Sequence, residues 1–376
     1  MKFIAQRLKY FDSSDFREVF DQKTKLPHPI DLSVGEPEES TTDYIKEAGI
    51  HAIRENKTKY TPANGIPELR AAIAKKLREE NSLATASEEN VTVVPGLTTG
   101  QLLIYMAILD PGDEILVMDP YYPPYNYLAS SIGARVTLIP VLPDFQPNLL
   151  LIEAAITSRT KAIVINSPNN PTGAVYSEVT LHKIAQIAEK HNLLVISDEI
   201  YEHFVYEGKH FSIGSIYPNT LTLNGFSKEF AMTGWRIGYI AGPQEIINAI
   251  NELQQYMVFA SSSIAQYAAL AALTKRPDTN GRYAKKRDLV KESLKKMGYD
   301  IHGMHGAFYS FFKAPGDLTD TDFVEKLAEH NLILVPGRAF SQLRGFVRLS
   351  YGAPQDLLTE GLRVLSEVTA ELRKKD

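Results

Sequence analysis

Six short apolar runs recur between residues 91 and 224: Val91–Val94, Glu114–Met118, Arg135–Ile139, Lys161–Asn166, Leu193–Ser197 and Thr220–Asn224. They are interleaved with longer segments of helical periodicity, such as Glu68–Asn81, Thr98–Leu109 and Ser177–His191. Several runs are apolar almost throughout, as strands covered on both faces must be. This alternation predicts an α/β fold with a mostly parallel sheet, flanked by helices and joined by right-handed crossovers. In such a sheet ligands bind beyond the carboxyl ends of the strands, so the loops there are where chemistry is expected.

From about Arg282 the pattern changes. A charged helix, Arg282–Met297, precedes Gly306–Phe312, a helix over Asp320–His330, strands at Leu332–Val335 and Gly345–Ser350, and an amphipathic helix over Pro354–Lys374. This reads as a second, smaller α/β domain. The expected division is an N-terminal segment 1–45 packing on the small domain, a large domain 46–281 and a small domain 282–376. A chain of 376 residues is long enough for two such lobes.

Composition removes several classes of function. There is no cysteine, so disulfides, thiolate metal sites and cysteine nucleophiles are excluded. A net charge of −5 gives no reason to expect nucleic acid or an anionic membrane as a partner. The first residues lack the apolar core of a signal peptide, and no apolar run approaches the ~20 residues of a membrane span. A cytoplasmic location is the expectation.

The strand-end loops carry a consistent set of side chains. The fifth run ends in Asp198-Glu199-Ile200-Tyr201, and the sixth leads into Gly225-Phe226-Ser227-Lys228. A strand-end acid, a tyrosine three residues on and a later Ser-Lys are the parts needed to hold pyridoxal 5'-phosphate. The lysine supplies a Schiff-base amine, the acid pairs with the pyridinium nitrogen and the tyrosine donates to the phenolate oxygen. After the first run, Gly96-Leu97-Thr98 opens a helix whose free N–H groups suit a phosphate. Tyr122, at the end of the second run, can stack on a planar ring. Asn170, in the loop Ser167-Pro168-Asn169-Asn170-Pro171-Thr172-Gly173, presents an amide from a shape fixed by proline and glycine. Neither a G-x-G-x-x-G nor a G-x-x-x-x-G-K-[ST] motif occurs, which disfavours dinucleotides and nucleoside triphosphates.

Taken in order and spacing, four motifs resemble the fold-type-I, class I/II aminotransferases, similar to the aspartate and aromatic amino acid enzymes. They are Asn169-Asn170-Pro171-Thr172-Gly173, Asp198-Glu199-Ile200-Tyr201, Ser227-Lys228 with Thr233-Gly234-Trp235-Arg236, and Arg348-Leu349-Ser350-Tyr351. The resemblance covers nearly the whole chain. It implies Lys228 as the Schiff-base lysine and Asp198 as the pyridinium partner. Tyr201 and Asn170 fall on the phenolate oxygen, Arg236, Thr98 and the Leu97 amide on the phosphate, and Gly96 and Ser227 are implied as further cofactor-binding residues. Tyr122 falls on the ring. Tyr60 looks like the tyrosine that reaches the neighbouring subunit's phosphate, which implies a homodimer. One departure is Gly225, where many members carry a serine.

For a substrate α-carboxylate the resemblance points to Arg348, suited to bidentate pairing, with the Asn170 amide and the Gly35 backbone N–H completing the cradle. The implied reaction is ping-pong transfer of an amino group between an L-amino acid, aspartate or aromatic, and a 2-oxo acid such as 2-oxoglutarate. Side-chain preference is expected to depend on Ser13, Ser14, Phe16 and Arg17, on Tyr122 and Tyr125, and on a partner loop near Tyr256–Ser263. Phe308 is read as either pocket or core. Thr98, where some aspartate-specific relatives carry a lysine, argues against strict aspartate preference. Two alternatives share the scaffold: a β-lyase, because Lys228 and Asp198 serve any Cα carbanion, and a catalytically silent cofactor-binding regulator.

Overall fold

The computed structural model describes residues 3–10, 24 and 26–374; Ser13, Ser14, Phe16 and Arg17 lie outside the described residues. The large sheet contains β1 (Val91–Val94), β2 (Glu114–Asp119), β3 (Arg135–Pro140), β4 (Thr160–Asn166), β5 (Leu194–Asp198), β6 (Thr220–Gly225) and β7 (Gly238–Ala241). Their spatial order is β1-β7-β6-β5-β4-β2-β3. Pairings β2–β3, β2–β4, β4–β5 and β5–β6 are parallel. Only β7 runs against its neighbours, β1 and β6. This strand escaped sequence analysis because it is four residues long, begins with glycine and follows β6 without an intervening helical pattern.

Each sheet face buries its own set of residues, as the two-residue period of a strand requires. Ile115, Val117, Val164, Ile196 and Leu223 pack with Leu103 and Ile104 of helix Leu97–Ile108 and Ile247 and Ile250 of helix Gln244–Met257. On the opposite face, Leu116, Ile163, Ile165 and Val195 pack with Leu181, Ile184 and Ala188 of helix Glu178–Lys190. Only β3, at an edge, keeps exposed ends. Among the described residues no helix is long and apolar enough to cross a membrane.

A second, antiparallel sheet has the order β9-β10-β8, with β8 at Tyr309–Lys313, β9 at Val335–Pro336 and β10 at Phe346–Ser350. Val290 and Leu294 of helix Asn280–Lys296, Phe323 and Leu327 of helix Asp320–Glu329 and Leu365 of helix Gln355–Arg373 share one core with Phe312, Val347 and Leu349. The run expected as one strand over Leu332–Val335 is broken at Leu334. Leu332–Ile333 pairs in parallel with Ile30–Asp31, while Val335–Pro336 joins β10. The Ser350 amide donates to the Leu32 carbonyl at 2.8 Å, so the segment around residue 32 is stitched to the end of β10.

Beneath the end of β5 lies a buried polar network. Lys76, from helix Pro67–Glu80, is in close contact with Glu202 and donates to Asn81 Oδ1 at 2.6 Å. Glu202 also accepts from Asn81 and from Asn224 at 2.6 and 2.7 Å. Glu199 accepts from Ser197 and Ser212, and His210 lies 3.0 Å from its other oxygen. Burial alone would raise the Glu202 pKa, but Lys76, His203 and His210 together outweigh it and hold the carboxyl well below the usual range. Glu199, Glu202 and His210 have metal-ligand spacing, yet the Lys76 ammonium already sits against Glu202. Removing one partner of a buried ion pair leaves the other uncompensated. Lys76→Met is therefore expected to destabilise the protein by about 3 kcal/mol or more, checked by chemical denaturation.

Candidate active site

A cavity of about 360 Å³ opens between the carboxyl edge of the large sheet and β10. Lys228, Asp198, Tyr201, Asn170, Tyr122, Leu97, Thr98, Ser227, Arg236, Gly35 and Arg348 all line it. These positions span more than three hundred residues of chain, and what unites them is the sheet, which ends several parallel strands at one edge. Tyr60 is elsewhere: its side chain is 86% exposed, its ring 4.5 Å from Phe259. Tyr256, Met257 and Val258 are exposed as well.

Lys228 lies just beyond β6, half-buried, and its Nζ donates to the Gly35 carbonyl at 2.7 Å. Burial pushes its pKa down to about 8, with Arg348 and Arg236 adding to the effect and Glu36 and Asp198 opposing it. Asp198, at the last position of β5, accepts from the Tyr125 hydroxyl at 2.6 Å and from the Ile200 amide at 3.1 Å. Burial raises its pKa to about 6, against the pull of those two donors. Tyr125 therefore supports the acid instead of lining a side-chain pocket alone. This contact had no signal in the local sequence.

At one end of the cavity, Arg236 adopts the left-handed conformation and donates to the Thr233 carbonyl at 2.8 Å. Its guanidinium lies against Gly96, where a Cβ would stand 2.3 Å from Nη2. Gly96 has φ +82° and directly precedes helix Leu97–Ile108, so glycine is needed on both counts. A cation and a helix N-terminus thus meet at one point, which favours a polyanion. Gly225 has its own reason. A Cβ there would stand 2.9 Å from the Gly238 Cα in the adjoining strand β7, so a serine at this position has no room.

At the other end, Arg348 projects from β10 and is 5% exposed. Its Nη1 donates to Asn170 Oδ1 at 3.0 Å and its Nη2 to the Ser33 carbonyl at 2.5 Å. The rings of Phe340 and Tyr309 flank the guanidinium at 4.4 and 4.7 Å. Nε is buried without a partner, and among the described residues no carboxylate pairs with it. Burial holds its pKa below the ordinary arginine value. Tyr201 shares a 2.7 Å hydrogen bond with Tyr309, and burial raises both phenols, Tyr309 to about 12.

Asn166 was missed by sequence analysis. Its Oδ1 accepts the Asn170 amide at 2.8 Å and its Nδ2 donates to the Asp198 carbonyl at 3.0 Å, locking two strand ends together. Its place as the last residue of a strand was a usable signal. Tyr309 and Phe340 carried none, because they read as ordinary core residues. Phe308 is core: wholly buried, it packs against Tyr201, Phe204 and Tyr283 and does not line the cavity.

Comparisons with known proteins agree with this geometry. The family model for aminotransferase class I and II matches residues 27–365. A probable aspartate/prephenate aminotransferase of Thermus aquaticus is 42% identical, over 96% of this chain and 98% of its own length. The solved aspartate aminotransferase of Thermus thermophilus with maleate is 38% identical, covers 98% of this chain and 100% of its own, and superposes with a TM-score of 0.91. The aromatic aminotransferase of Pyrococcus horikoshii is 35% identical, covering 94% of this chain and 99% of its own, with a TM-score of 0.88.

Lys228 should be an unusually nucleophilic amine. In protein freed of small ligands, its reaction with an amine-directed reagent is expected to rise about tenfold per pH unit and level off near pH 8. Ordinary lysines keep rising toward 10.5. Peptide mass analysis across a pH series reads both, and a Lys228 profile that tracks the surface lysines would refute the depressed value.

Proposed function

We propose, for a chain that belongs to the class I and II aminotransferases and so transfers amino groups between amino and 2-oxo acids, that pyridoxal 5'-phosphate occupies this cavity. The observation that carries the reading is one cavity holding a half-buried amine, a buried carboxylate and two separate cationic ends. The fit is chemical at each point. Arg236 with the Leu97 amide, Thr98 and Ser227 suit the phosphate, while Asp198 suits a cationic ring nitrogen. Tyr201 and Asn170 would serve the phenolate oxygen, and Tyr122 would offer a ring for stacking. When bound, the group supplies an aldehyde for amine exchange and a ring that accepts the electrons of a Cα carbanion.

The residues of the chain do the remaining work. Asp198 carries its negative charge in a desolvated setting, where a cationic partner raises the charge's stability and lowers the acid's pKa from about 6. Lys228, with a pKa near 8, is close enough to neutrality to accept a proton from the substrate Cα and return one. Arg348 binds the α-carboxylate through its fork, its unpartnered Nε and the Asn170 amide orienting it. Because Arg348 and Lys228 stand on different sheets, the carboxylate and the amine of one substrate are held from opposite sides, which orients Cα toward Lys228.

The substrate reading is aspartate or aromatic amino acids with 2-oxoglutarate as acceptor. Tyr122, Tyr309, Phe340, Ile200, Val34 and Val335 give the walls aromatic and aliphatic surface suited to an aromatic side chain. The aspartate side of the reading is supported by the names of the relatives. The same reading includes a homodimer in which Tyr60 reaches the neighbouring site. Its support is an exposed surface where Tyr60 and Phe259 stand beside Tyr256, Met257 and Val258. It also includes the division into 1–45, 46–281 and 282–376, supported by the two separate sheets.

Two measurements test it. Holoenzyme mixed with single amino acids should lose its visible cofactor band with aspartate or aromatic donors, and added 2-oxoglutarate should return it with formation of glutamate. Ammonia and pyruvate in place of glutamate would speak for elimination instead. Lys228→Ala should show no turnover and no adduct trapped by borohydride. Arg348→Ala should raise KM for amino donors about 100-fold, the scale of two charge-assisted hydrogen bonds.

A further inference from the structure

Phe340 covers one face of the Arg348 guanidinium, yet no strand or helix carries it. It follows a single 3-10 turn, Gly337–Ala339, and leads into an irregular segment. The segment is tied to the other sheet, at the end of β2. The Tyr121 amide donates to the Phe340 carbonyl at 2.9 Å. Asp119 Oδ2 accepts the Gln342 amide at 3.1 Å, and the Ser341 hydroxyl beside that carboxyl favours its charged form. Asp119 is 4% exposed, and its Oδ1 has no partner.

A buried acid with one empty oxygen is an expensive way to end a strand. The expense falls where a charged acceptor does something a neutral one does less well. Hydrogen bonds to a charged acceptor are shorter and about twice as strong as neutral ones. The donor here sits two residues after Phe340 in the chain. A displacement of residues 341–342 would carry the ring off the guanidinium, and with it one of the two aromatic faces that set the plane of the fork. Bidentate recognition depends on that plane.

We propose that Asp119 is a positioning residue for the substrate α-carboxylate: by anchoring Gln342 it keeps Phe340 seated on Arg348. The proposal rests on the reading that Arg348 takes the carboxylate. Asp119 itself touches neither substrate nor cofactor, so its removal acts on binding and leaves proton transfer at Cα intact.

The experiment uses holoenzyme and two readouts, steady-state kinetics and the dissociation constant of an α-methyl amino acid that binds without turnover. D119A is expected to raise both KM and that dissociation constant about tenfold, the scale of one charge-assisted hydrogen bond. Its kcat should stay within about twofold and the visible cofactor band should keep its pH titration. D119N, which keeps a carbonyl oxygen for the Gln342 amide, should recover most of the affinity, and D119S carries the same test with a smaller change in packing. The double variant D119A/F340L should bind no more weakly than F340L alone, because both act through one ring. Unchanged affinity in D119A and D119S, a fall in kcat with an altered band, or additive losses in the double variant would each overturn the proposal. R348K separates the two levels: unchanged affinity there would sink the carboxylate reading itself, whereas weakened R348K beside unaffected D119A sinks only the role of Asp119.

Discussion

Two opposite charges, Asp198 and Arg348, are held out of water in one cavity without an ionic partner for either among the described residues. Each costs several kcal/mol of desolvation even after relaxation. Burial pushes the acid up to about 6 and holds the guanidinium below its ordinary value. Neither charge is left bare. Tyr125 and the Ile200 amide support the carboxylate, and two rings, an amide oxygen and a backbone carbonyl support the guanidinium. All of these are neutral. A neutral support holds a charge in place and leaves its countercharge to be supplied by whatever binds.

The rest of the fold serves that arrangement. Parallel strands β4, β5 and β6 end side by side, so residues far apart in sequence arrive at one edge already ordered. Asn166 ties two of those ends together, and the buried network of Lys76, Asn81, Glu199 and Glu202 underpins the turn that follows β5. Arg348 comes from a separate antiparallel sheet, whose last strand is stitched to the segment carrying Ser33 and Gly35. Ser33 accepts from Arg348 and Gly35 from Lys228, so this one stretch of backbone touches two of the working cations.

The large sheet was legible because two-sided burial writes a strong signal. Runs such as Leu193–Ser197 have no polar face, and the structure matches six of the expected strands to within a residue or two. Strand-end residues were legible for the same reason, since a polar side chain after such a run stands where ligands bind. What failed to show follows from tertiary context. Gly238–Ala241 is too short to announce itself and is held by its two neighbours. Leu332–Val335 reads as one strand, but its two halves serve different partners. Tyr309 and Phe340 look like any buried aromatic until β10 places a guanidinium between them. Tyr125 looked like a pocket wall because a helix sequence does not reveal that its phenol meets an acid two strands away.

The contrast between the two sets of buried charge in this molecule argues for which of them works. Lys76, Glu202, Glu229 and Arg276 lie close to the site, the first three just as deep, yet every one has an opposite charge within reach. Such a network is closed, and a ligand could enter it only by displacing a partner already bound. Asp198, a few residues before Glu202 on the same turn, has only neutral donors beside it, and Arg348 only neutral acceptors and rings. Depth does not separate them, since Lys76, Glu202 and Glu229 are as buried as Asp198 and Arg348. It comes from what stands next to each group, and an open charge supported by neutral neighbours is the state that a ligand of complementary charge completes.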